Sequence, residues 1–344
     1  MRAPYRLGLL GLGNVGGALA RRLTEDSDRI AVAAGRPIRL EAIAVMHCEG
    51  RLAPAPLERA EQLLERSDLD AIVELIGGVE PAHTYINTAL AAGRQVITAN
   101  KQVIAADGPA LARLAPLRFE ASVASAIPIV EMLAETLAAD RIQSVIGILN
   151  GTTNSMLEAM AAGAGYADAL ADAQKHGLAE ADPSADVDAH DPAAKLAILS
   201  MLAFRRRIDP SRIERVGIRN LAQAQLVEAT RRGLVVKLIA AATHDGRAIG
   251  ADVRPRLIPA EAPLARVSGA MNGIAVEAEH AGPLRLEGPG AGRDAAASAV
   301  LADIIRAARD VPASAGALLA SLADEPAANI EPLGSQTPYP AAVS

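Results

Sequence analysis

The chain has 344 residues, of which 51% are hydrophobic and 22% charged, enough apolar surface for about two domains. Its 34 Lys and Arg against 40 Asp and Glu give a formal net charge of −6, so there is no overall basic field for a nucleic acid or an anionic membrane. Aromatics at 2%, with no Trp, leave few stacking platforms for single strands, and a lone cysteine, Cys48, excludes an intrachain disulfide or a thiol-held zinc and fits a reducing compartment.

Residues 2–20 have the outline of a signal peptide, but Asn14 and five glycines interrupt the apolar region and Arg21-Arg22 follow directly. No later run reaches the ~20 apolar residues a membrane span needs, so a soluble, cytoplasmic protein is expected. From residue 7 to about 123, short apolar runs at 7–10, 40–46, 71–76, 95–98 and 117–123 alternate with helical spacing at 16–23, 57–64 and 82–90. That alternation predicts an α/β fold with a parallel sheet and crossover helices. After Ile127-Pro128 come an Ala-rich helix, a strand at 144–149, and helix to about 204 broken by an acidic loop. Further runs at 234–241 and 274–276 predict a mixed α/β second domain. The expected boundaries are 1–128, 129–292, a helix at 293–310 returning to the first domain, and a flexible Pro-rich tail at 325–344.

Gly11-Leu12-Gly13-Asn14-Val15-Gly16 matches G-x-G-x-x-G between a strand-like run and an Ala/Leu-rich helix. In that context glycines let main-chain N–H groups and a helix N-terminus approach a pyrophosphate, so a Rossmann-type, doubly wound sheet binding NAD or NADP is expected. An acid at the end of the second strand would hold a ribose 2′-hydroxyl. The region 44–51 has none at the expected strand end, while His47 and Arg51 could meet a 2′-phosphate, which leans toward NADP.

The most unusual segment runs from Glu180 to Lys195, with Glu180, Asp182, Asp186, Asp188 and Asp191 crowded before an apolar helix. Its spacing is not that of a calcium loop. A helix start with Asp191 as cap and Pro192 in the first turn explains two residues. Lys195, four residues on and so on the same face, fits either a surface pair with Asp191 or a proton donor and acceptor in a cleft. Lys101, after Thr98-Ala99-Asn100, sits where strand ends face a ligand crevice, or is an ordinary loop lysine. Asn150-Gly151-Thr152-Thr153-Asn154 offers a cap or substrate contacts.

Taken in order, these motifs, with Glu74-Leu75-Ile76-Gly77-Gly78, Phe119-Glu120-Ala121-Ser122-Val123 and Gly288-Pro289-Gly290-Ala291-Gly292, resemble the homoserine dehydrogenase family over roughly residues 5 to 308. The resemblance implies NAD(P)-dependent interconversion of L-homoserine and L-aspartate 4-semialdehyde, in threonine, methionine and isoleucine biosynthesis. It makes the second domain the catalytic and dimerisation domain of a homodimer or homotetramer. It implies Lys195 as general acid and base beside Asp191, with Lys101 between cofactor and substrate and sharing in catalysis. Glu180, Asp186, Asp191, Gly151 and Thr152 would bind substrate. Gly11, Gly13, Asn14, Val15, Gly16, Ile76, Lys101 and Gly292 would bind the dinucleotide, and Glu120, Val123, Ser125 and Ile127 would hold a sodium ion, mostly through carbonyl oxygens. The short chain implies no regulatory amino-acid-binding domain.

Ala124-Ser125-Ala126 stands in place of a glycine-rich turn, Ala189 in place of a glycine, Ala295-Ala296 in place of Pro-Thr, and Ser155 where an aromatic residue is frequent. Added Cβ atoms crowd a turn that needs glycine torsions. These departures keep open two other readings: a dehydrogenase of another small amino alcohol or aldehyde, and a non-catalytic cofactor-binding paralogue.

Overall fold

The structure, a computed structural model, describes residues 2–46 and 53–333; His47, Cys48 and Arg51 lie outside the described residues. The chain divides into two compact units, Met1–Thr136 with Gly292–Glu325 and Leu137–Ala291 with Pro326–Ser344.

The first unit begins β1 (Tyr5–Leu10), α1 (Asn14–Glu25), α2 (Ser27–Ala34), β2 (Ile38–Ala44), β3 (Leu57–Glu58), α3 (Ala60–Glu65) and β4 (Ala71–Glu74). It continues α4 (Ala82–Ala91), β5 (Gln95–Thr98), α5 (Lys101–Ala112) and β6 (Leu117–Arg118). The strands form one parallel sheet in the order β3-β2-β1-β4-β5-β6. This is the doubly wound order, whose direction reverses between β1 and β4 and opens a crevice at their C-terminal ends. β1 and β4 are apolar along nearly their whole length because helices cover both faces of a parallel sheet.

Two expectations are corrected here. The stretch 57–64 is not one helix: Leu57–Glu58 pairs with β2 and the helix begins at Ala60. The run 117–123 is strand only through Arg118, because the chain then turns into a 3-10 turn at Glu120–Ser122.

The second unit contains β7 (Ile142–Ile148), α6 (Gly151–Ala161), α7 (Tyr166–Lys175), α8 (Ser184–Val187), α9 (His190–Phe204), β8 (Glu214–Arg215) and α10 (Gln223–Arg231). It continues β9 (Leu234–His244), β10 (Ile249–Pro259), β11 (Met271–Ala278) and β12 (Gly282–Pro289). The chain then supplies α11 (Arg293–Ala308) and α12 (Ser314–Ser321) to the first unit and ends in β13 (Ile330–Glu331) in the second.

The second sheet has the order β12-β11-β7-β9-β10-β13, with β8 also on β10. Its β12 to β10 strands are antiparallel, and α6, α9 and α10 pack against β9. Helix α9 is buried on nearly every side, as a helix apolar all round must be. The expected loose tail is corrected for residues 326–333: β13 pairs with β10, Ala328 N donates to Arg207 O (2.8 Å), and Leu333 packs on the sheet's apolar cluster.

In the first unit α11 packs against α1 and α2, and Val300, Leu301 and Ile304 join Leu7, Leu9, Leu19 and Leu23 in one apolar core. Polar groups are buried beside it. Arg118, 2% exposed, donates to Gln95 Oε1 (2.9 Å) and to the carbonyls of Val311 and Pro312. Asp303, 1% exposed, accepts from Glu120 N (3.0 Å).

Candidate active site

The glycine turn follows β1. Gly11 has φ +99°, and a Cβ there would lie 2.8 Å from Leu75 O; a Cβ on Gly16 would collide with Gly11 O. Both glycines are therefore required by the protein's own packing. At Gly13 an added Cβ meets nothing within 4 Å, so the freedom there is on the open side. That side is a cleft of about 570 Å3 lined by Gly11, Gly13, Ala44, Arg59, Glu61 and Ile76, among others. It lies at the switch point of the sheet, and α1 starts at Asn14 and Val15 with its unpaired N–H groups at this turn.

Glu74, fully buried at the end of β4, organises the opposite wall. Its Oε1 accepts from Ile76 N (2.7 Å) and Gly77 N (3.3 Å), and its Oε2 accepts from Thr98 Oγ1 (2.6 Å). Thr98 Oγ1 accepts from Asn100 N (2.9 Å), and the Asn100 amide donates to Gly78 O (2.7 Å) and caps α5 at Val103 N. Lys101 is the first residue of that helix. The sequence reading used the Glu74 motif without giving the carboxylate this task. Glu74→Ala would strand three donors at about 1 to 3 kcal/mol each. A lowered denaturation midpoint and weakened dinucleotide binding are expected in equilibrium unfolding and fluorescence titration.

In the second unit, α9 carries Asp191 and Lys195 one turn apart, both buried. Lys195 Nζ donates to Asp191 Oδ2 (2.8 Å) and to Leu149 O (2.7 Å). The Asn150 amide donates to Asp191 Oδ2 (2.9 Å) and Asp186 Oδ1 (2.6 Å), while its Oδ1 caps α6 at Thr153 N (2.9 Å). One asparagine thus joins the start of α6 to both carboxylates, a bridge that the expected cap or substrate contact did not include. Gly151 lies under Ala270 O, where a Cβ has no room. Thr152 Oγ1 donates to Leu178 O (2.6 Å). Glu180 is exposed on the segment before α8, outside this hydrogen-bonded group, and its carbonyl accepts from Gln174 Nε2 (3.0 Å).

The departures from glycine are accommodated with strain. Ala124, Ser125 and Ala189 have φ of +52°, +37° and +64°, a left-handed conformation costing side-chain-bearing residues on the order of 1 kcal/mol each. Ala295 and Ala296 continue α11, which follows Gly292 at φ +121°. Beside the strained turn, the buried Glu120 carboxylate accepts from Val130 N (2.9 Å) and Glu131 N (3.0 Å). With both Glu120 oxygens engaged by these N–H groups, a cation at this turn would depend on main-chain oxygens, a donor set suited to a weakly held monovalent ion. Among the described residues no group of three or more His, Cys, Asp or Glu could hold a metal ion, and no helix is long and apolar enough to cross a membrane.

A doubly wound sheet with an open glycine turn, and a buried lysine–carboxylate pair in the companion unit, define the class of nicotinamide-dinucleotide-dependent oxidoreductases. Comparison with known proteins narrows the class. The family model described as "Homoserine dehydrogenase, NAD binding domain" matches residues 11–121 and that described as "Homoserine dehydrogenase" matches 128–305. The chain is 45% identical to the homoserine dehydrogenase of Corynebacterium glutamicum over 319 residues, 88% of this chain and 72% of that protein. It superposes on the crystal structure of a homoserine dehydrogenase from Thiobacillus denitrificans with TM-score 0.88 and 36% identity, covering 96% and 80% of the two chains. A hyperthermophilic archaeal homoserine dehydrogenase in complex with NADPH matches with TM-score 0.77 and 26% identity, covering 90% and 99%. The chain belongs to the homoserine dehydrogenase family. The readings of another substrate or a non-catalytic paralogue gain no support from these likenesses.

Proposed function

We propose that the protein interconverts L-homoserine and L-aspartate 4-semialdehyde, with Lys195 exchanging the proton of the substrate hydroxyl. The buried pair of Lys195 with Asp191, anchored to Leu149 O, carries this reading. Asp191 and Leu149 O fix where Nζ points, and a fixed donor close to the reacting oxygen is what general acid–base catalysis requires. Asp186 and Asp191, held by Asn150, with Glu180 at the approach, attract the substrate ammonium. The main-chain N–H groups of Gly151 and Thr152 at the start of α6 favour its carboxylate. Lys101, at the start of α5, is assigned to the boundary of cofactor and substrate.

A bound nicotinamide dinucleotide would supply the hydride acceptor or donor for the substrate carbon. Gly11, Gly13, Asn14, Val15 and Gly16 cradle the pyrophosphate, Ile76 lines the cleft, and Gly292 supplies a backbone turn free of a Cβ. A sodium ion held by carbonyls of Val123, Ser125 and Ile127 would brace the strained turn and touch no reacting atom.

NADP is the proposed dinucleotide. The described end of β2, Ala44-Val45-Met46, has no carboxylate, and Arg59, with a side chain 77% exposed and 3.5 Å from Glu61 Oε2, lines the same cleft. An exposed guanidinium suits a phosphate. Arg59→Ala is expected to raise KM for NADP about tenfold, roughly one charge-assisted hydrogen bond, and to leave KM for NAD unchanged; equal effects on both would refute the role. The reading itself is tested by nicotinamide absorbance with L-homoserine and either dinucleotide, where bound dinucleotide without homoserine-dependent reduction would overturn it.

A further inference from the structure

The second unit holds another buried lysine, in a network that touches none of the groups assigned to catalysis. Lys237, on β9, is 2% exposed. Its Nζ donates to Asn154 Oδ1 (2.8 Å), Glu158 Oε1 (2.9 Å) and Val267 O (2.8 Å). Three acceptors match the three protons of an ammonium group. Asn154 and Glu158 stand four residues apart on α6, so they share one face of that helix. Both also grip the loop before β11: the Asn154 amide donates to Val267 O (3.1 Å) and Gly269 O (2.9 Å), and Glu158 Oε2 accepts from Gly269 N (2.8 Å).

The next residue of that loop, Ala270, lies with its carbonyl against Gly151, so closely that a Cβ at 151 has no room. Gly151 is the first residue of α6, and Asn150 before it holds Asp186 and Asp191. We infer that Lys237 is a positioning residue for the substrate: through Asn154, Glu158 and the loop at 267–270 it sets where the start of α6 lies. This rests on the proposed reading that Gly151 and Thr152 line the substrate site.

The physical argument concerns both ends of one helix segment. The Asn150 cap couples α6 to the catalytic carboxylates, and the face one and two turns later is clamped to β9 and to the loop. Removing the ammonium takes the donor from the buried Asn154 Oδ1 and one of two donors from Val267 O, and leaves the half-exposed Glu158 without its cation, which loosens the clamp that holds the loop against Gly151. Lys237 stays clear of proton exchange, so its loss changes placement and not acid–base chemistry.

The test compares Lys237→Met, Lys237→Arg and Glu158→Gln with the unsubstituted enzyme. Glu158 has a side chain 38% exposed, so Glu158→Gln is expected to fold even where Lys237→Met does not. Steady-state kinetics should show KM for homoserine rising about tenfold to a hundredfold in Lys237→Met, the scale of a small misplacement of binding groups. Glu158→Gln should show a smaller rise in the same direction, and Lys237→Arg partial recovery. KM for the dinucleotide and the shape of the kcat pH profile should not move.

If the folded variants lose thermal stability while KM for homoserine stays at the unsubstituted value, Lys237 is merely structural and the inference is overturned. A change in the pH profile would overturn it too, by placing Lys237 in proton exchange. Failure of the unsubstituted protein to turn over homoserine would instead bring down the functional reading, and this inference with it.

Discussion

Lys195→Ala should lower kcat for homoserine oxidation by about a hundredfold to ten-thousandfold, the range set by loss of a positioned proton acceptor, with dinucleotide affinity unchanged. The variant removes Nζ from Asp191 Oδ2 and Leu149 O, so buried acceptors lose a charged partner and some stability is lost as well. Lys195→Arg separates the two effects. A guanidinium keeps the positive charge beside Asp191 but cannot give up its proton near neutral pH, so it should restore stability without restoring turnover. Absorbance assays beside thermal melts decide the matter; an active Lys195→Arg enzyme would remove Lys195 from proton exchange.

The second large effect concerns stability in the first unit. Burial raises the Asp303 carboxyl from 3.8 to about 8, with the neighbouring Glu120 carboxylate adding to the shift, opposed by the Glu120 N–H bond and by Arg118. Glu120 is itself pushed up by burial, and Glu131 likewise, with Arg306 opposing. A carboxyl raised in the folded state binds its proton more tightly there than when unfolded. Its stabilising contribution is therefore complete below 3.8 and is lost as pH rises toward about 8.

Across that window the loss approaches about 1.4 kcal/mol per pH unit. Asp303→Asn keeps an acceptor for Glu120 N and cannot ionise. It should melt higher than the unsubstituted protein at alkaline pH and flatten the fall in melting temperature across the window. Parallel pH dependence in the two proteins would show that Asp303 does not titrate there.

What could be read in the sequence was what is local. The glycine turn is a contiguous pattern between a strand and a helix, and Asp191 with Lys195 follows from helical spacing alone. The strand β10 was not legible because Pro255 lacks an N–H and Asp252, Arg254 and Arg256 look like surface residues. In the fold Asp252 is fully buried and pairs with both arginines. Leu57 looked helical because its leucine neighbours recur at helical spacing, yet pairing with β2 claimed it.

Contacts across long stretches of chain left no pattern to find. Asn150 meets Asp191 41 residues on, and Lys237 meets Asn154 83 residues back. Nothing in either neighbourhood marks those distances. Ala124, Ser125 and Ala189 show the converse case: only the family resemblance marked them, because without glycine the residues themselves carry no sign of left-handed torsions, which packing imposes against local preference.

The interleaving of the two units bears on how the protein is made. A ribosome delivers β1 and α1 long before α11, and α11 fills the apolar core against α1. At synthesis rates of about 5 to 20 residues per second, Leu19 and Leu23 wait many seconds for Val300 and Ile304. The nascent first unit therefore presents unfinished apolar surface to solvent while the second emerges, which makes it a customer for chaperones. Nor is the second unit contiguous, since β13 pairs with β10 from beyond the stretch that belongs to the first unit. Neither unit can be cut from the gene as one uninterrupted stretch.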